Sequence, residues 1–444
     1  MTAAAAPLLS GQTAGGTPLA ARSADMVTGI MLADIAVVIL LGLVLGRLFG
    51  RIRQPAVIGE ITAGIALGPS VLGQLPGDLT QRLFPSDIRP LLNGVSQVAL
   101  VLFMFVVGWE FEKRLVRPHA GLAAGVSLSS IAVAFGLGVA LAVYLHPQHS
   151  TVAGHHVSFA TFAVFLGTAM SVTAFPVLAR ILNDNKLLDT RVGSLALASA
   201  AIDDVLAWCL LAYVSAMVSA DGDYAKLVRV AGFGLLFTAG MLLVVRPLLD
   251  ALVWRWAAAE RWGQLLAVLA AGALVSAWLT SWIGVHAIFG AFLFGFITPR
   301  EPAALLTSHV RKPLDDMNLV LLPVFFVVTG LNVDLGALTA EDTVAMLLII
   351  AVACVGKLLG AIVPARLAGL GWRESKDLGL LMNTRGLTEL VILNAAMTLG
   401  VLDVRMFTMM VVMALVTTAM AGPLLSGRDA LVAVTSEKPK AVRL

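Results

Sequence analysis

Apolar residues run through this chain in long blocks rather than at the alternating spacing of strands or the stripes of half-exposed helices. The blocks fall at 27–49, 55–73, 92–111, 120–145, 158–181, 192–217, 228–249, 263–281, 284–299, 315–333, 343–366, 378–399 and 405–426. Each approaches the roughly 20 residues that a helix needs to cross the hydrocarbon layer. About thirteen transmembrane helices are therefore expected, in an all-α integral membrane protein whose main partner is the lipid bilayer.

The connections between blocks alternate in charge. Arg47, Arg51 and Arg53 follow the first span, Lys113, Arg114 and Arg117 the third, and Arg180, Lys186 and Arg191 flank the end of the fifth, with further clusters after the seventh, ninth and eleventh. The connections 146–157 and 334–342 hold no Lys or Arg. Cytoplasmic loops carry the basic excess, so the N-terminus is expected outside and the C-terminus inside the cell membrane.

Composition agrees: 59% of residues are hydrophobic and 13% charged, and the mean hydropathy of +0.92 is that of a chain dissolved in lipid. Residues 1–26, rich in Ala, Gly and Thr, form an expected N-terminal extension, and 427–444 a cytoplasmic tail. No dense basic run with interleaved aromatics accompanies the net charge of +3, so nucleic acid is not an expected partner. Cys209 and Cys354 lie far apart in apolar stretches, and His119, His146, His149, His155, His156 and His309 lack metal-ligand spacing. No catalytic centre, metal site or cofactor is expected, and the chain does not read as an enzyme.

Charges at bilayer depth cost about 2.5–3.5 kcal/mol each on insertion scales, so each one needs a reason. Asp203 and Asp204 stand side by side in the sixth span. Adjacent buried carboxylates are suited to hold a proton or a cation. Lys357, isolated in the eleventh span, is the natural partner of Asp203. Arg385 and Glu389, four residues apart, share one helix face and pair with each other or serve transport. Glu60 and His286 carry weaker signals, as a helix-boundary carboxylate and a polar packing group.

Two spans contain helix breakers. Ser171-Val172-Thr173-Ala174-Phe175-Pro176 interrupts the fifth, where Pro176 removes a backbone donor, and Asn383-Thr384-Arg385-Gly386 interrupts the twelfth. Unwound backbone at that depth is tolerated where protein or a water-filled cavity satisfies it, and its freed groups suit ion binding. Val177-Leu178 and Leu188-Asp189-Thr190-Arg191 match Val391-Ile392 and Leu402-Asp403-Val404-Arg405 at one common offset. Spans 1–6 and 8–13 are thus expected to form two six-helix repeats of inverted topology, joined by span 7.

Four motifs then carry a family resemblance. Gln54-Pro55-Ala56-Val57-Ile58-Gly59-Glu60 through Gly68-Pro69-Ser70 resembles the early signature of the second group of monovalent cation:proton antiporters. Asp203-Asp204-Val205-Leu206-Ala207-Trp208, Val285-His286-Ala287-Ile288-Phe289-Gly290-Ala291-Phe292 and Met382-Asn383-Thr384-Arg385-Gly386-Leu387-Thr388-Glu389-Leu390 resemble the branch of plant cation/proton exchangers and fungal potassium/proton antiporters. The resemblance implies exchange of a monovalent cation, Na+ and/or K+, for H+ by an elevator-type homodimer with crossed broken helices. It places the dimerising scaffold at 27–111 and 263–333, the mobile core at 120–217 and 343–426, and a linker helix at 228–249. It makes Asp204 the principal cation and proton ligand, pairs Asp203 with Lys357, sets Thr173 along the crossing and gives Asn383, Thr384 and Arg385 support of the second break. The alternative on the same scaffold is a proton-coupled exporter of a small organic cation or ionophore.

Overall fold

The structure is a computed structural model that describes residues 24–52, 54–77, 79–110, 120–152, 154–184, 187, 190–220 and 223–426. The expected N-terminal extension and tail lie almost wholly outside these residues, as do Arg53, Lys113, Arg114, Arg117, His119, Lys186, Leu188 and Asp189.

Helices account for nearly all of what is described. In chain order they are α1 (Ala24–Arg51), α2 (Ala56–Leu67), the short α3 (Leu79–Leu83), α4 (Arg89–Glu110), α5 (Ala120–His149), α6 (Phe159–Ser171), α7 (Phe175–Asp184), α8 (Arg191–Ala220) and α9 (Tyr224–Gly240). There follow α10 (Arg246–Ala258), α11 (Trp262–Ile283), α12 (Ala287–Ile297), α13 (Ala303–Leu306), α14 (Lys312–Leu331), α15 (Ala340–Leu367), α16 (Trp372–Met382), α17 (Leu387–Thr398) and α18 (Val404–Ser426). Single π-turns, Met241–Val245 and Thr307–Arg311, join α9 to α10 and α13 to α14. One two-stranded hairpin pairs Thr151–Val152 with His155–His156.

Eleven helical segments among the described residues are long and apolar enough to cross a membrane. Two shorter ones, α12 and the stretch Thr388–Thr398, occupy the ninth and twelfth expected spans. The chain is therefore an all-α multi-pass membrane protein. The expected block 315–333 proves longer, since α13, its π-turn and α14 continue one another from Ala303 to Leu331.

Small residues set how closely these helices approach, as they do where lipid offers no hydrophobic drive between helices. At the α2–α14 contact Gly64 faces Gly330, and a Cβ on Gly330 would come within 2.8 Å of the Gly64 Cα. At the α5–α15 contact a Cβ on Gly360 would lie 2.6 Å from the Ser130 Cα. That second contact brings the Lys357 side of α15 against the serine-bearing face of α5. The largest buried apolar cluster among the described residues joins α6, α8, α14, α17 and α18 through Phe162, Phe165, Leu166, Leu211, Phe325, Phe326, Leu390 and Met410.

Two helical spans are broken. The chain leaves helical geometry at 172–174, between α6 and α7, and at 383–386, between α16 and α17. Pro176 is not in the gap: it occupies the first turn of α7, where its missing N–H would have had no intrahelical partner in any case. It starts the second half-helix rather than interrupting the first.

Candidate functional site

The two gaps meet. The Ala174 N–H donates to the Thr384 carbonyl at 3.1 Å, and the Thr173 hydroxyl donates to the Met382 carbonyl at 2.8 Å. Within its own gap the Thr384 hydroxyl donates to the Leu381 carbonyl at 2.7 Å, and the Asn383 amide contacts Cys354 Sγ at 3.6 Å. A broken helix leaves up to four carbonyls without partners at the end of its first half. Here each end is closed largely by groups from the gaps themselves.

Arg385 does most of this for α6. Its guanidinium donates to the carbonyls of Ala169 and Met170, each at 2.6 Å, while Nη1 also meets the Glu389 carboxylate at 2.7 Å. Both side chains are fully buried. A planar fork with five donors can cap two carbonyls and hold a carboxylate at once, which an ammonium point charge cannot do in the same plane. The Arg385 carbonyl in turn accepts from the Thr418 hydroxyl of α18 at 2.7 Å.

Asp204 and Asp203 come to this crossing from α8. Asp204 is nearly buried; its carboxylate accepts from the Thr388 hydroxyl at 3.2 Å and from the backbone N–H of Phe175. Those donors belong to the first turns of α17 and α7, so the carboxylate sits where two helix N-termini converge and their dipoles favour negative charge. Asp204 makes no ion pair among the described residues. A cation arriving there would meet the Asp204 carboxylate and the Thr388 hydroxyl, both hard oxygen donors.

Asp203 points elsewhere. One of its carboxylate oxygens accepts from Lys357 Nζ at 2.9 Å and the other from the Ser127 hydroxyl at 2.5 Å. Lys357 also donates to the Ser130 hydroxyl at 3.2 Å. All four side chains are buried. The adjacent acids are thus divided by environment: Asp203 is closed within a network of α5, α8 and α15, and Asp204 faces the crossing.

The structure accordingly brings together Thr173, Asp203, Asp204, Lys357, Asn383, Thr384, Arg385 and Glu389. Three contributors escape a reading of the sequence: Ser127, Ser130 and Thr388. Serine and threonine are ordinary in apolar helices, and only the close α5–α15 packing and the folded crossing turn these three toward charges. Glu60 lies away from the crossing, against α1, with Oε1 near the Gly46 position. His286 precedes α12 as its N-cap residue, and its buried Nδ1 has no hydrogen-bond partner among the described residues.

The profile described as the transmembrane part of the sodium/hydrogen exchanger matches residues 35–427, nearly the whole of the described chain. The chain belongs to the sodium/hydrogen exchanger family. As a member of that family of antiporters it is a transporter and not an enzyme. It is 41% identical over 397 residues to the Na(+)/H(+) antiporter NhaS4 of Synechocystis, covering 89% of this chain and 96% of that one. It is 35% identical over 389 residues to the K(+)/H(+) antiporter 1 of Saccharomyces cerevisiae, covering 85% of this exchanger and 44% of the yeast protein. Cation/H(+) antiporter 15 of Arabidopsis thaliana is likewise 35% identical, over 84% of this chain and 45% of its own. The chain thus spans slightly under half the length of these two relatives. Among solved structures, the sodium proton antiporter MjNhaP1 from Methanocaldococcus jannaschii at pH 8 matches with a TM-score of 0.65 at 12% identity, over 92% of this chain and 99% of that one. That likeness confirms the fold of the exchanger.

Proposed function

We propose that this exchanger moves a monovalent cation, Na+ and/or K+, against H+ across the cell membrane, with Asp204 as the group both ions seek. The observation that carries the reading is the environment of that carboxylate: nearly buried, free of any ion pair among the described residues, and held by Thr388 and the Phe175 N–H between two half-helix N-termini. A proton and a bound cation each neutralise one negative charge there, and each excludes the other. Binding one expels the other, and exchange needs no ATP.

The division of the chain follows the same reading. Residues 120–217 and 343–426 form a mobile core that carries the crossing, 27–111 and 263–333 a scaffold through which two copies dimerise, and 228–249 the linker. The core would shift past the scaffold, elevator fashion, to expose Asp204 to one side and then the other. Support comes from the hydrogen-bonded unity of the crossing, whose members all lie within the proposed core. Orientation follows the charge of the connections, with the N-terminus outside and the C-terminus in the cytoplasm.

The test is reconstitution in liposomes with a trapped pH dye under an imposed proton gradient, adding sodium, potassium, lithium or choline in turn. A small cation should collapse the gradient, and Asp204→Asn should abolish that response. A response confined to organic cations would replace this reading with the exporter alternative.

A further inference from the structure

Between α15, which ends at Leu367, and α16, which starts at Trp372, the chain reverses direction through Gly369. Its φ of +85° supplies the left-handed residue that such a helix end needs. The Gly369 N–H donates to the Arg366 carbonyl at 3.0 Å and the Leu370 N–H to the Ala365 carbonyl at 3.1 Å, which closes the last turn of α15 over the buried Leu370 side chain. Three side chains meet at the reversal. The Arg366 guanidinium and the Lys376 ammonium lie 5.4 and 5.3 Å from the centroid of the Trp372 ring, each within reach of a cation–π contact. Arg366 also donates to the Leu370 carbonyl, so its fork is held in place.

Like charges thus share one ring, and Arg373 adds a third beside them. Among the described residues no carboxylate pairs with any of the three, and the neighbouring Glu374 is turned to the Gly371 N–H at 3.0 Å. The cluster therefore presents positive charge that the protein leaves uncompensated. Its surroundings are apolar. Trp372 is 58% exposed and Leu367 84%, and large apolar groups so exposed beside basic ones are characteristic of the membrane–water interface. From Leu367 a stripe of exposed side chains, Val363, Leu359 and Val355, runs along α15 at four-residue spacing, hence down one face and away from the cations.

We propose that Arg366, Trp372, Arg373 and Lys376 bind the headgroup of an anionic phospholipid, with an acyl chain along the stripe from Leu367 to Val355. The planar fork of Arg366 suits two phosphate oxygens at once, and Lys376 adds a point charge. Cations and apolar stripe together select a lipid over a free anion, because only a lipid satisfies both. The site also has a mechanical position. It lies at the entry of α16, whose other end, Met382, offers the carbonyl that Thr173 meets at 2.8 Å. A headgroup held here fixes the depth in the bilayer of the half-helix that leads to the crossing.

The experiment is native mass spectrometry of the full chain released from nanodiscs of equimolar phosphatidylcholine and phosphatidylglycerol. Unfolding temperatures are read in parallel in phosphatidylcholine alone, with phosphatidylglycerol, and with inorganic phosphate. The wild type should retain phosphatidylglycerol in preference and unfold at a higher temperature with it, and inorganic phosphate should not reproduce the shift. One basic residue near an anionic surface is worth about fivefold in affinity. Lys376→Gln, at an exposed side chain, should therefore lower the preference about fivefold, and its combination with Arg366→Gln further still. Arg255→Gln, at the exposed end of α10, should leave it unchanged. A wild type without preference overturns the proposal, whether or not the variants fold. So does a Lys376→Gln protein with undiminished preference, an equal loss in Arg255→Gln, which would mean diffuse attraction to the surface, or equal stabilisation by inorganic phosphate, which would mean a site for free anions.

Discussion

Arg385 lies in the gap of one broken helix and donates to the carbonyl of Met170 near the end of the other, at 2.6 Å. The same guanidinium serves Ala169 and Glu389. Replacing it by alanine leaves two helix-end carbonyls and a buried carboxylate without donors. Such a loss should cost about 3–5 kcal/mol, read as a lower unfolding temperature in detergent. Arg385→Lys should recover only part of it, because a lysine cannot fork.

Thr388 is a more local test. Thr388→Val keeps the shape of the side chain and removes the hydroxyl that Asp204 accepts. Losing one hydrogen bond to a charged group is worth about 1.5–3 kcal/mol, so cation affinity in the liposome assay should fall by roughly ten- to a hundredfold. The unfolding temperature should hardly move. A valine variant with unchanged cation dependence would remove Thr388 from the site.

Asp203 and Lys357 lend themselves to a double-mutant cycle. Lys357→Met alone strands a buried carboxylate, and Asp203→Asn alone strands a buried ammonium. Each should destabilise by about 3–5 kcal/mol, whereas the double variant should be markedly less destabilised than the sum. Thermal denaturation of the four proteins gives the coupling; additive losses would mean that the two groups do not depend on each other.

How far did the sequence disclose this arrangement? Asp203, Asp204 and Lys357 were conspicuous because charge in an apolar block has few explanations, and the pairing of Lys357 with Asp203 followed from scarcity of alternatives. Both gaps were visible as polar or proline-bearing interruptions. Pro176 misled in detail, since proline marks helix starts as well as breaks, and only the backbone distinguishes them. The serines had no such visibility: Ser127 shares its span with Ser129 and Ser130, and nothing in the spacing reveals which of them meets an ion pair 76 residues away. The fork of Arg385 was half visible. Its i,i+4 partner Glu389 could be read from periodicity, but its carbonyl partners, 216 and 215 residues distant, depend on how the spans fold together.

Gly360 tests the packing that places Lys357. Gly360→Ala puts a methyl group 2.6 Å from the Ser130 Cα, where backbone rather than a pliable side chain must yield. Overpacking of this kind costs about 1–3 kcal/mol. Because the displaced helix carries Lys357, the variant should lose exchange rate as well as stability, seen by comparing initial dye responses at equal protein incorporation.

Asp403, between α17 and α18, supplies a dependence on pH outside the spans. Burial alone would raise its carboxyl, but donors from His149 and the Met406 N–H, together with nearby Arg405, outweigh it and hold the group below the ordinary 3.8. A carboxylate depressed on folding stabilises the protein above its unfolded value and loses that contribution as pH falls through the folded one. The unfolding temperature of the wild type should therefore drop below about pH 4, and Asp403→Asn should flatten that part of the profile while lowering stability at neutral pH.

The mutual closure of the two gaps also bears on biogenesis. When α6 and α7 first enter the bilayer from the ribosome, Arg385 has not yet been synthesised, and the carbonyls of Ala169 and Met170 must find water or a chaperoning surface in its place. The amino-terminal half of the crossing is thus inserted as an unfinished part. A nascent chain arrested before residue 385 should expose it to proteases or to membrane-embedded quality control, and release of the complete chain should end that exposure.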